Sequence, residues 1–237
     1  MNLSVIIPVF NEKNTVEEII SRVERVQFEG IELKEIIIVD DGSTDGTRDL
    51  LNQYKEKSGI TLLFQSNNMG KGAAVRKGFE LVSGDLWLVQ DSDLEYNPDD
   101  YSKLLAPILS GNADVVYGSR FAGGEAHRVL LYWHSWGNKI LTSLSNMFTD
   151  LNLTDMECGY KVFRREIIDQ IKLKEDRFGF EPEVTAKIAK LAKKGKCSIY
   201  EVGVSYFGRT YHEGKKINWK DGLSAIRCII KYNLLKN

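Results

Sequence analysis

Short apolar segments alternate with amphipathic segments along the first half of the chain. Four runs rich in Ile, Val and Leu predict buried β-strands, at residues 3–9, 35–39, 60–64 and 86–89. Apolar residues at helical spacing separate these runs. They predict a helix capped by Asn14 and Glu17, and two more helices at residues 47–57 and 73–82. Because strands that alternate with helices need crossover connections, the sequence predicts a mainly parallel sheet.

The second half of the chain is less regular. It predicts strands at residues 113–118, 160–163 and 199–206. It also predicts a helix near Asp99, amphipathic helices within 129–153, and helices at 182–194 and 221–235. No internal repeat and no Pro/Gly/Ser-rich linker divides the chain. We therefore expect one α/β domain with a central sheet flanked by helices: a body of residues 1–220 and an amphipathic C-terminal helix, 221–237, belonging to the same domain.

Composition and charge narrow the class of protein. With 237 residues, 43% hydrophobic and 27% charged, the chain can bury one substantial core, and a disordered class is excluded. Residues 187–237 hold 12 Lys and Arg against 3 Asp and Glu, whereas residues 1–186 hold 20 against 30. The acidic part suits a cation site and the basic part an anionic partner, although ordinary solvated surfaces explain the asymmetry equally well.

The cysteine content and the lengths of the apolar runs indicate the cellular compartment in which the protein is expected. The three cysteines are far apart and form no CxxC pair, so neither a disulfide framework nor a zinc site is indicated, and a reducing compartment fits. The first residues lack the pattern of a signal peptide, and no run approaches the roughly 18–20 apolar residues that span a bilayer. We expect a cytoplasmic protein with, at most, peripheral contact at the cytoplasmic face of a membrane, and no nucleic-acid partner.

An acidic motif follows the strand predicted at 86–89. Asp91, Asp93 and Glu95 place carboxylates at alternate positions beyond the carboxyl end of this strand. Hard divalent cations prefer oxygen ligands, and a diphosphate supplies more of them. The motif therefore predicts a metal that links Asp93 to the phosphates of a nucleotide. The alternative is an acidic turn that caps the helix near Asp99.

Two further motifs end neighbouring strands. Asp40 and Asp41 could accept hydrogen bonds from a base or a ribose, or they could belong to a polar turn. Gly70-Lys71-Gly72 lets backbone amides approach a phosphate, with Lys71 adding charge, or it is an ordinary glycine-rich turn. It matches neither a dinucleotide-binding fingerprint nor a P-loop, since the third glycine and the GxxxxGK[S/T] spacing are both missing.

In this order the motifs resemble those of family 2 glycosyltransferases of the GT-A fold. They read Ile6-Ile7-Pro8-Val9-Phe10-Asn11-Glu12, Val39-Asp40-Asp41-Gly42-Ser43-x-Asp45, Asn68-x-Gly70-Lys71-Gly72 and Asp91-x-Asp93. Downstream motifs resemble the branch that glycosylates polyprenyl phosphates, such as dolichyl-phosphate mannosyl- and glucosyltransferases. These read Gly118-Ser119-Arg120, Asp155-x-x-Cys158-Gly159-Tyr160-Lys161-x-Phe163, and Arg209 followed by Glu213-Gly214-Lys215-Lys216. The resemblance covers about residues 3–220.

The resemblance implies a set of site residues. The donor nucleotide would contact Pro8, Asn11, Glu12, Asp40, Asp41, Gly70, Lys71, Asp91 and Ser92. Mg²⁺ or Mn²⁺ would bind Asp91, Asp93 and Glu95, although some relatives have Gln at the last position. The acceptor phosphate would bind Arg120, Arg209, Lys215 and Lys216; many relatives read Gly-x-Ser-Lys there, so the resemblance does not select one lysine. The catalytic set would be Asp93, Arg120, Asp155 and Arg209.

The chemistry of the acceptor decides whether a base is needed. A phosphate monoester is already ionised near neutral pH, so cations such as Arg can hold it ready for attack. A sugar hydroxyl needs a general base, for which Asp155 and Glu157 are the candidates. We expect inverting transfer of a hexose from a UDP- or GDP-linked donor to a polyprenyl phosphate. The alternatives are a saccharide acceptor in surface-glycan assembly and a non-catalytic module that binds sugar nucleotides.

Two stretches could contact a lipid surface. Residues 129–148 combine Tyr132, Trp133, Trp136 and Phe148 with aliphatic residues, and residues 222–235 form a basic amphipathic pattern. Such helices suit the membrane interface. They are equally suited to pack against the protein core or a second subunit.

Overall fold

Seven strands form one sheet in this computed structural model, which describes residues 1–124, 127–129, 132–216 and 219–235. The strands are β1 (Asn2–Val9), β2 (Leu33–Asp40), β3 (Ile60–Phe64), β4 (Leu86–Val89), β5 (Val115–Ser119), β6 (Lys161–Arg164) and β7 (Ile199–Gly203). Their order is β3-β2-β1-β4-β6-β5-β7. Every neighbouring pair is parallel except the two that include β6, which runs antiparallel to both β4 and β5. The predicted mainly parallel sheet is confirmed.

Helices cover both faces of the sheet. They are α1 (Val16–Arg25), α2 (Thr47–Leu51), α3 (Lys71–Phe79), α4 (Tyr101–Leu109), α5 (Tyr132–Thr149), α6 (Arg165–Ile168), α7 (Phe180–Ala192) and α8 (Trp219–Leu234). Helices α1 and α4 share a core with Val5 and Ile7 of β1, whereas α3 and α7 share the opposite core with Ile6. Because β1 is buried on both faces, its sequence is a continuous apolar run rather than an alternating one.

Several predicted boundaries change for physical reasons. Helix α1 begins at Val16 after Thr15, not with Asn14 as its cap, and the Thr15 hydroxyl instead donates to the carboxylate of Glu12 at 2.8 Å. Helix α2 stops at Leu51 and continues as a 3₁₀ turn, so it is shorter than predicted. The apolar stretch 129–153 yields a single helix, α5, while its residues 130 and 131 lie outside the described residues.

The glycine-rich turn before α3 packs directly against the backbone of residues 175–177. A Cβ at Gly72 would lie 2.4 Å from the carbonyl oxygen of Glu175, and one at Gly70 would lie 2.5 Å from that of Asp176. Gly70 also has a φ of +104°, which disfavours other residues. The amide of Ala73 donates to the Asp176 carbonyl at 2.9 Å. These glycines therefore fix a contact between two loops, in addition to any role toward a ligand.

The C-terminal helix α8 packs against α5 and α7. It buries Ala225, Cys228, Ile229 and Tyr232. Glu175 binds the helix from the facing loop, accepting from the Tyr232 hydroxyl at 2.8 Å. We propose that this helix belongs to the same domain as the sheet; residues 236 and 237 of the predicted segment lie outside the described residues. Within the described part of the chain, no helix is long and apolar enough to cross a membrane.

Candidate functional site

A cavity of about 810 Å³ opens beyond the carboxyl ends of β1, β2 and β4. Because β6 is antiparallel to β4, the segment that precedes β6 reaches the same edge of the sheet. Most of the site residues predicted from the sequence line this cavity: Pro8, Glu12, Asp41, Gly70, Lys71, Asp91, Ser92, Asp93, Glu95, Arg120, Arg209, Lys215 and Lys216. The lining does not include Asn11, Asp40 or Asp155. Ligands of open α/β sheets bind at this edge.

The two adjacent aspartates after β2 have different surroundings. Asp40 is fully buried and accepts from the Arg48 Nε at 2.6 Å, so the expected direct nucleoside contact does not match its position. The Asp41 carboxylate accepts four hydrogen bonds, from the side chains of Gln65 and Asn68 and from the backbone amides of Met69 and Gly70. Burial raises the pKa of Asp41. Asp41 thus organises the glycine-rich loop at the cavity wall.

Asn11 joins the loops after β1 and β2. Its amide donates to the Ser43 hydroxyl at 2.9 Å, and its side-chain oxygen accepts from the Thr44 amide at 2.8 Å. Its φ of 51° is a left-handed conformation that Asn tolerates better than most residues. The position of Asn11 indicates that it shapes the loop, in contrast to the expected contact with the donor.

The acidic motif is held by cations on both sides. Lys71 Nζ lies 2.8 Å from an Asp91 oxygen and 3.0 Å from a Glu181 oxygen. Asp93 lies 3.3 Å from the Arg209 guanidinium. Burial, followed by the charges of Asp91 and Glu95, raises the pKa of Asp93 to about 7. Such crowding of carboxylates is unfavourable without a counter-ion.

The motif fits a divalent cation only in part. Among the described residues, no group of three His, Cys, Asp or Glu side chains is arranged to hold an ion. Glu95 uses both of its oxygens within the protein, accepting from the Tyr206 hydroxyl and from the Arg209 amide, each at 2.7 Å. It therefore positions the segment around Tyr206, and its expected role as a metal ligand stays a prediction. Asp91 and Asp93 remain, with the hard oxygen chemistry that suits Mg²⁺ or Mn²⁺.

Glu12 forms ion pairs with two of the side chains that were expected to bind phosphate. Arg209 donates to both oxygens of Glu12 at 3.0 Å, and Lys216 Nζ donates to one of them at 2.8 Å. Burial opposes ionisation of Glu12, but the hydrogen bonds from Arg209 and Lys216 prevail and lower its pKa. Lys215 also lines the cavity. The segment 209–216 therefore places cations next to the acidic motif.

Arg120 and Asp155 form a buried ion pair. Asp155 is completely buried and accepts from Arg120 Nε at 2.6 Å and Nη2 at 2.7 Å, and from Asn138 Nδ2 at 2.9 Å. A carboxylate enclosed in this way does not reach a substrate hydroxyl, so Asp155 is unsuited to act as a general base. Its role is to orient Arg120, which itself lines the cavity.

Comparison with known proteins identifies the family. The family model described as Glycosyl transferase family 2 matches residues 4–172. The chain belongs to glycosyl transferase family 2. This confirms the resemblance seen in the motifs that follow β1, β2 and β4.

Curated relatives of this family 2 glycosyltransferase are named for sugar transfer to polyprenyl phosphates. An undecaprenyl-phosphate 4-deoxy-4-formamido-L-arabinose transferase from Pseudomonas savastanoi pv. phaseolicola is 30% identical over 190 residues, covering 79% of this chain and 55% of that protein. A dolichol-phosphate mannosyltransferase from Pyrococcus furiosus is 29% identical over 194 residues, with coverages of 79% and 53%. A dodecaprenyl-phosphate galacturonate synthase from Rhizobium johnstonii is 28% identical over 214 residues, with coverages of 88% and 62%. The chain thus spans 53% to 62% of the length of these three relatives.

Solved structures share the fold. Glucosyl-3-phosphoglycerate synthase from Mycobacterium tuberculosis, in complex with Mn²⁺, UDP and glucosyl-3-phosphoglycerate, matches with a TM-score of 0.73 at 19% identity. The match covers 100% of this chain and 81% of that chain. At this identity the likeness shows the fold alone, and it confirms the predicted GT-A fold.

Sequence reasoning missed one acidic residue of the family 2 cavity and left another with an open role. Glu181, at the start of α7, lines the cavity although it is 97% buried. Glu157 also lines it, and burial, followed by the charge of Glu181, raises the pKa of Glu157 to about 8. A glutamate in the first turn of a helix is ordinary, because it complements the helix dipole. No sequence signal therefore separated Glu181 from Glu183, which instead binds the amides of Lys174 and Glu175.

Proposed function

We propose that this chain transfers a hexose from a UDP- or GDP-linked donor to a polyprenyl phosphate, with inversion at the anomeric carbon. One observation carries the proposal: a single cavity joins the Asp91 and Asp93 carboxylates to the cations Arg120, Arg209 and Lys216. The carboxylates of Asp91 and Asp93 suit a cation-bound diphosphate, and the cationic side chains suit a second phosphate. The names of the curated relatives support this pairing of substrates.

The donor fits along the carboxyl edge of β2, β1 and β4. Pro8, Asp41 and Gly70 form the wall at the nucleoside end, and Asp91 and Asp93 stand at the diphosphate. Mg²⁺ or Mn²⁺ held by Asp91, Asp93 and donor oxygens would stabilise negative charge on the departing nucleoside diphosphate. Arg209 and Lys216 add fixed positive charge at the same place, where preorganised electrostatics contribute most to transfer.

The acceptor phosphate fits beside Arg120. A guanidinium carries five N–H donors, and the Asp155 carboxylate is bonded to the Nε and Nη2 of Arg120. The remaining donors can bind a phosphate at the cavity wall. Because this acceptor is already ionised, it attacks the anomeric carbon without a general base. A single displacement from the face opposite the leaving group inverts the configuration.

Helices α5 and α8 offer a place for the lipid. Both line the cavity and pack against each other. Tyr132, Trp133 and Trp136 on α5 and Trp219 and Leu223 on α8 are between 48% and 78% exposed. We propose that this aromatic surface contacts the cytoplasmic face of the membrane that holds the acceptor, since aromatic residues favour the interface.

The membrane contact predicts binding to anionic vesicles at low salt. The variant Trp133→Ser/Trp136→Ser should lower the bound fraction several-fold in co-sedimentation, because both side chains lose interfacial burial. Tyr200→Ser, an exposed aromatic on β7, should bind as the unmodified protein does. Absence of vesicle binding by the unmodified protein, or equal binding by all three proteins, contradicts the proposed contact.

Transfer assays test the proposed reaction. UDP-, GDP- and dTDP-sugars are incubated with Mn²⁺, with and without a short polyprenyl phosphate. Lipid-stimulated turnover of one donor, giving a product of inverted configuration, is the expected result. Turnover with a saccharide acceptor alone would replace the lipid-phosphate reaction with the surface-glycan alternative. Donor binding without any turnover would indicate a binding module, and no donor binding would contradict both.

A further inference from the structure

Two carboxylates on the cavity wall have oxygens without a partner. Glu181 is 97% buried; its Oε1 lies 3.0 Å from Lys71 Nζ, while its Oε2 has no hydrogen-bond partner among the described residues. Glu157 Oε1 is equally shielded and lacks a partner there too. Both side chains line the cavity. Because a buried acceptor without a hydrogen bond is costly, native structures rarely keep one unless a ligand or water completes it.

Two lysines lie near these glutamates, and both are engaged within the protein. Lys71 is shared between Asp91 and Glu181. Lys161 is completely buried, and its Nζ donates to the carbonyl oxygens of Met156 and Cys158. Lys161 thereby fixes the loop that carries Glu157. Both glutamate side chains therefore present carboxyl groups at the cavity wall.

The order of the strands places this pair beyond the diphosphate. In the proposed donor pose the nucleoside end lies at β2 and β1, while Asp91 and Asp93 follow β4, the next strand along the edge. The segment before β6 comes next and supplies Glu157, with Glu181 on the adjoining start of α7. Gly159 allows close approach here, since a Cβ would lie 2.3 Å from the Asp91 carboxylate. A nucleotide sugar laid along the edge in this direction puts its sugar against Glu157 and Glu181.

We infer that Glu157 and Glu181 form the subsite for the transferred sugar, where they bind its hydroxyl groups and select a neutral or amino sugar over a uronic acid. The inference rests on the proposed use of a nucleotide-sugar donor. Hydroxyl and ammonium groups donate to carboxylates, so such sugars satisfy the unpartnered oxygens. A uronate would bring a second negative charge against Glu181, and like charges in a desolvated site repel strongly.

Donor binding measured by calorimetry, without an acceptor and at fixed Mn²⁺, tests the subsite. The nucleoside diphosphate, the matching neutral hexose donor and the matching uronic acid donor are compared. The unmodified protein should bind the hexose donor more tightly than the uronate donor. Glu181→Gln and Glu157→Gln should each weaken hexose-donor binding by about 10-fold or more and leave nucleoside diphosphate binding within about twofold. Glu181→Gln should also reduce the preference for the hexose donor over the uronate donor.

A control variant and the choice of ligands distinguish failure of the sugar subsite from failure of the proposed function. Glu56→Gln alters an exposed carboxylate outside the cavity and should bind all three ligands as the unmodified protein does. If either subsite variant fails to fold, the ligand preference of the unmodified protein still decides: equal or tighter binding of the uronate donor overturns the inference. Unchanged hexose-donor binding in both folded variants also overturns it, while leaving the proposed reaction intact. Failure of the unmodified protein to bind any nucleoside diphosphate contradicts the proposed function itself, and the subsite with it.

Discussion

Replacing Asp93 with Asn is expected to lower the rate of sugar transfer by at least about a hundredfold, because groups that stabilise charge on a departing diphosphate contribute on this scale. Asp93 faces the cavity beside Arg209, and the neutral amide keeps its shape while removing the charge that would hold a cation. The measurement is kcat for transfer at saturating Mn²⁺. Asp99→Asn is the matched control, since Asp99 is an exposed acid of the turn that follows the motif.

Asp93→Asn should not lower the stability of the folded protein. Burial and two neighbouring carboxylates raise the pKa of Asp93 to about 7, so the folded protein retains a proton that the unfolded chain releases at much lower pH. The ionised form is therefore a cost to stability that grows as the pH rises toward 7. We expect the Tm of Asp93→Asn at pH 8 to equal or exceed that of the unmodified protein. Wild-type turnover in this variant would contradict the assigned role of Asp93.

Removing Asp155 is expected to destabilise the protein by about 3–5 kcal/mol, since an unpaired buried guanidinium is left behind. Asp155 is completely buried and binds Arg120 through two short hydrogen bonds. Equilibrium unfolding of Asp155→Ala by urea measures the loss. The double variant Arg120→Met/Asp155→Leu should recover most of the stability, because it removes both charges together, yet it should lack transfer to a polyprenyl phosphate. A single variant within about 1 kcal/mol of the unmodified protein would contradict this account.

The sequence predicted the strands of the first half well because they are short continuous apolar runs; β1 and β4 are buried on both faces, whereas the edge strand β3 is partly exposed. Residues 60–64 and 86–89 match β3 and β4, and β1 and β2 differ from their predictions by one or two residues. The start of α1 was less predictable, since Thr15 binds Glu12 in place of a capping bond to the helix backbone. The local sequence does not show whether a hydroxyl will cap the helix backbone or bind a nearby carboxylate.

Local pattern predicted the candidate site best where it follows strand ends, whereas the family resemblance supplied Arg209, Lys215 and Lys216. Asp91, Lys71 and Asp41 lie close together because parallel strands bring their carboxyl ends to one edge. The Glu12–Arg209 pair joins residues 197 positions apart, and neither residue has a local pattern that indicates the other. The Arg120–Asp155 pair shows that Asp155, which was expected to act on a substrate, instead orients Arg120 at the cavity wall. Side-chain pairing of this kind depends on the folded geometry, not on spacing along the chain.

The reversed strand β6 has a consequence for how this enzyme family can diversify. Because β6 runs against its neighbours, it delivers the start of a strand, and the loop ahead of it, to an edge otherwise built from strand ends. That loop also contacts the segment that follows β4, since the Gly159 amide donates to the Tyr96 hydroxyl at 3.1 Å. It contributes no residue to the registers of β1, β2 and β3. On the proposed assignment of the sites, substitutions in this loop would change sugar and acceptor preference and leave the strands proposed to bind the nucleoside in place.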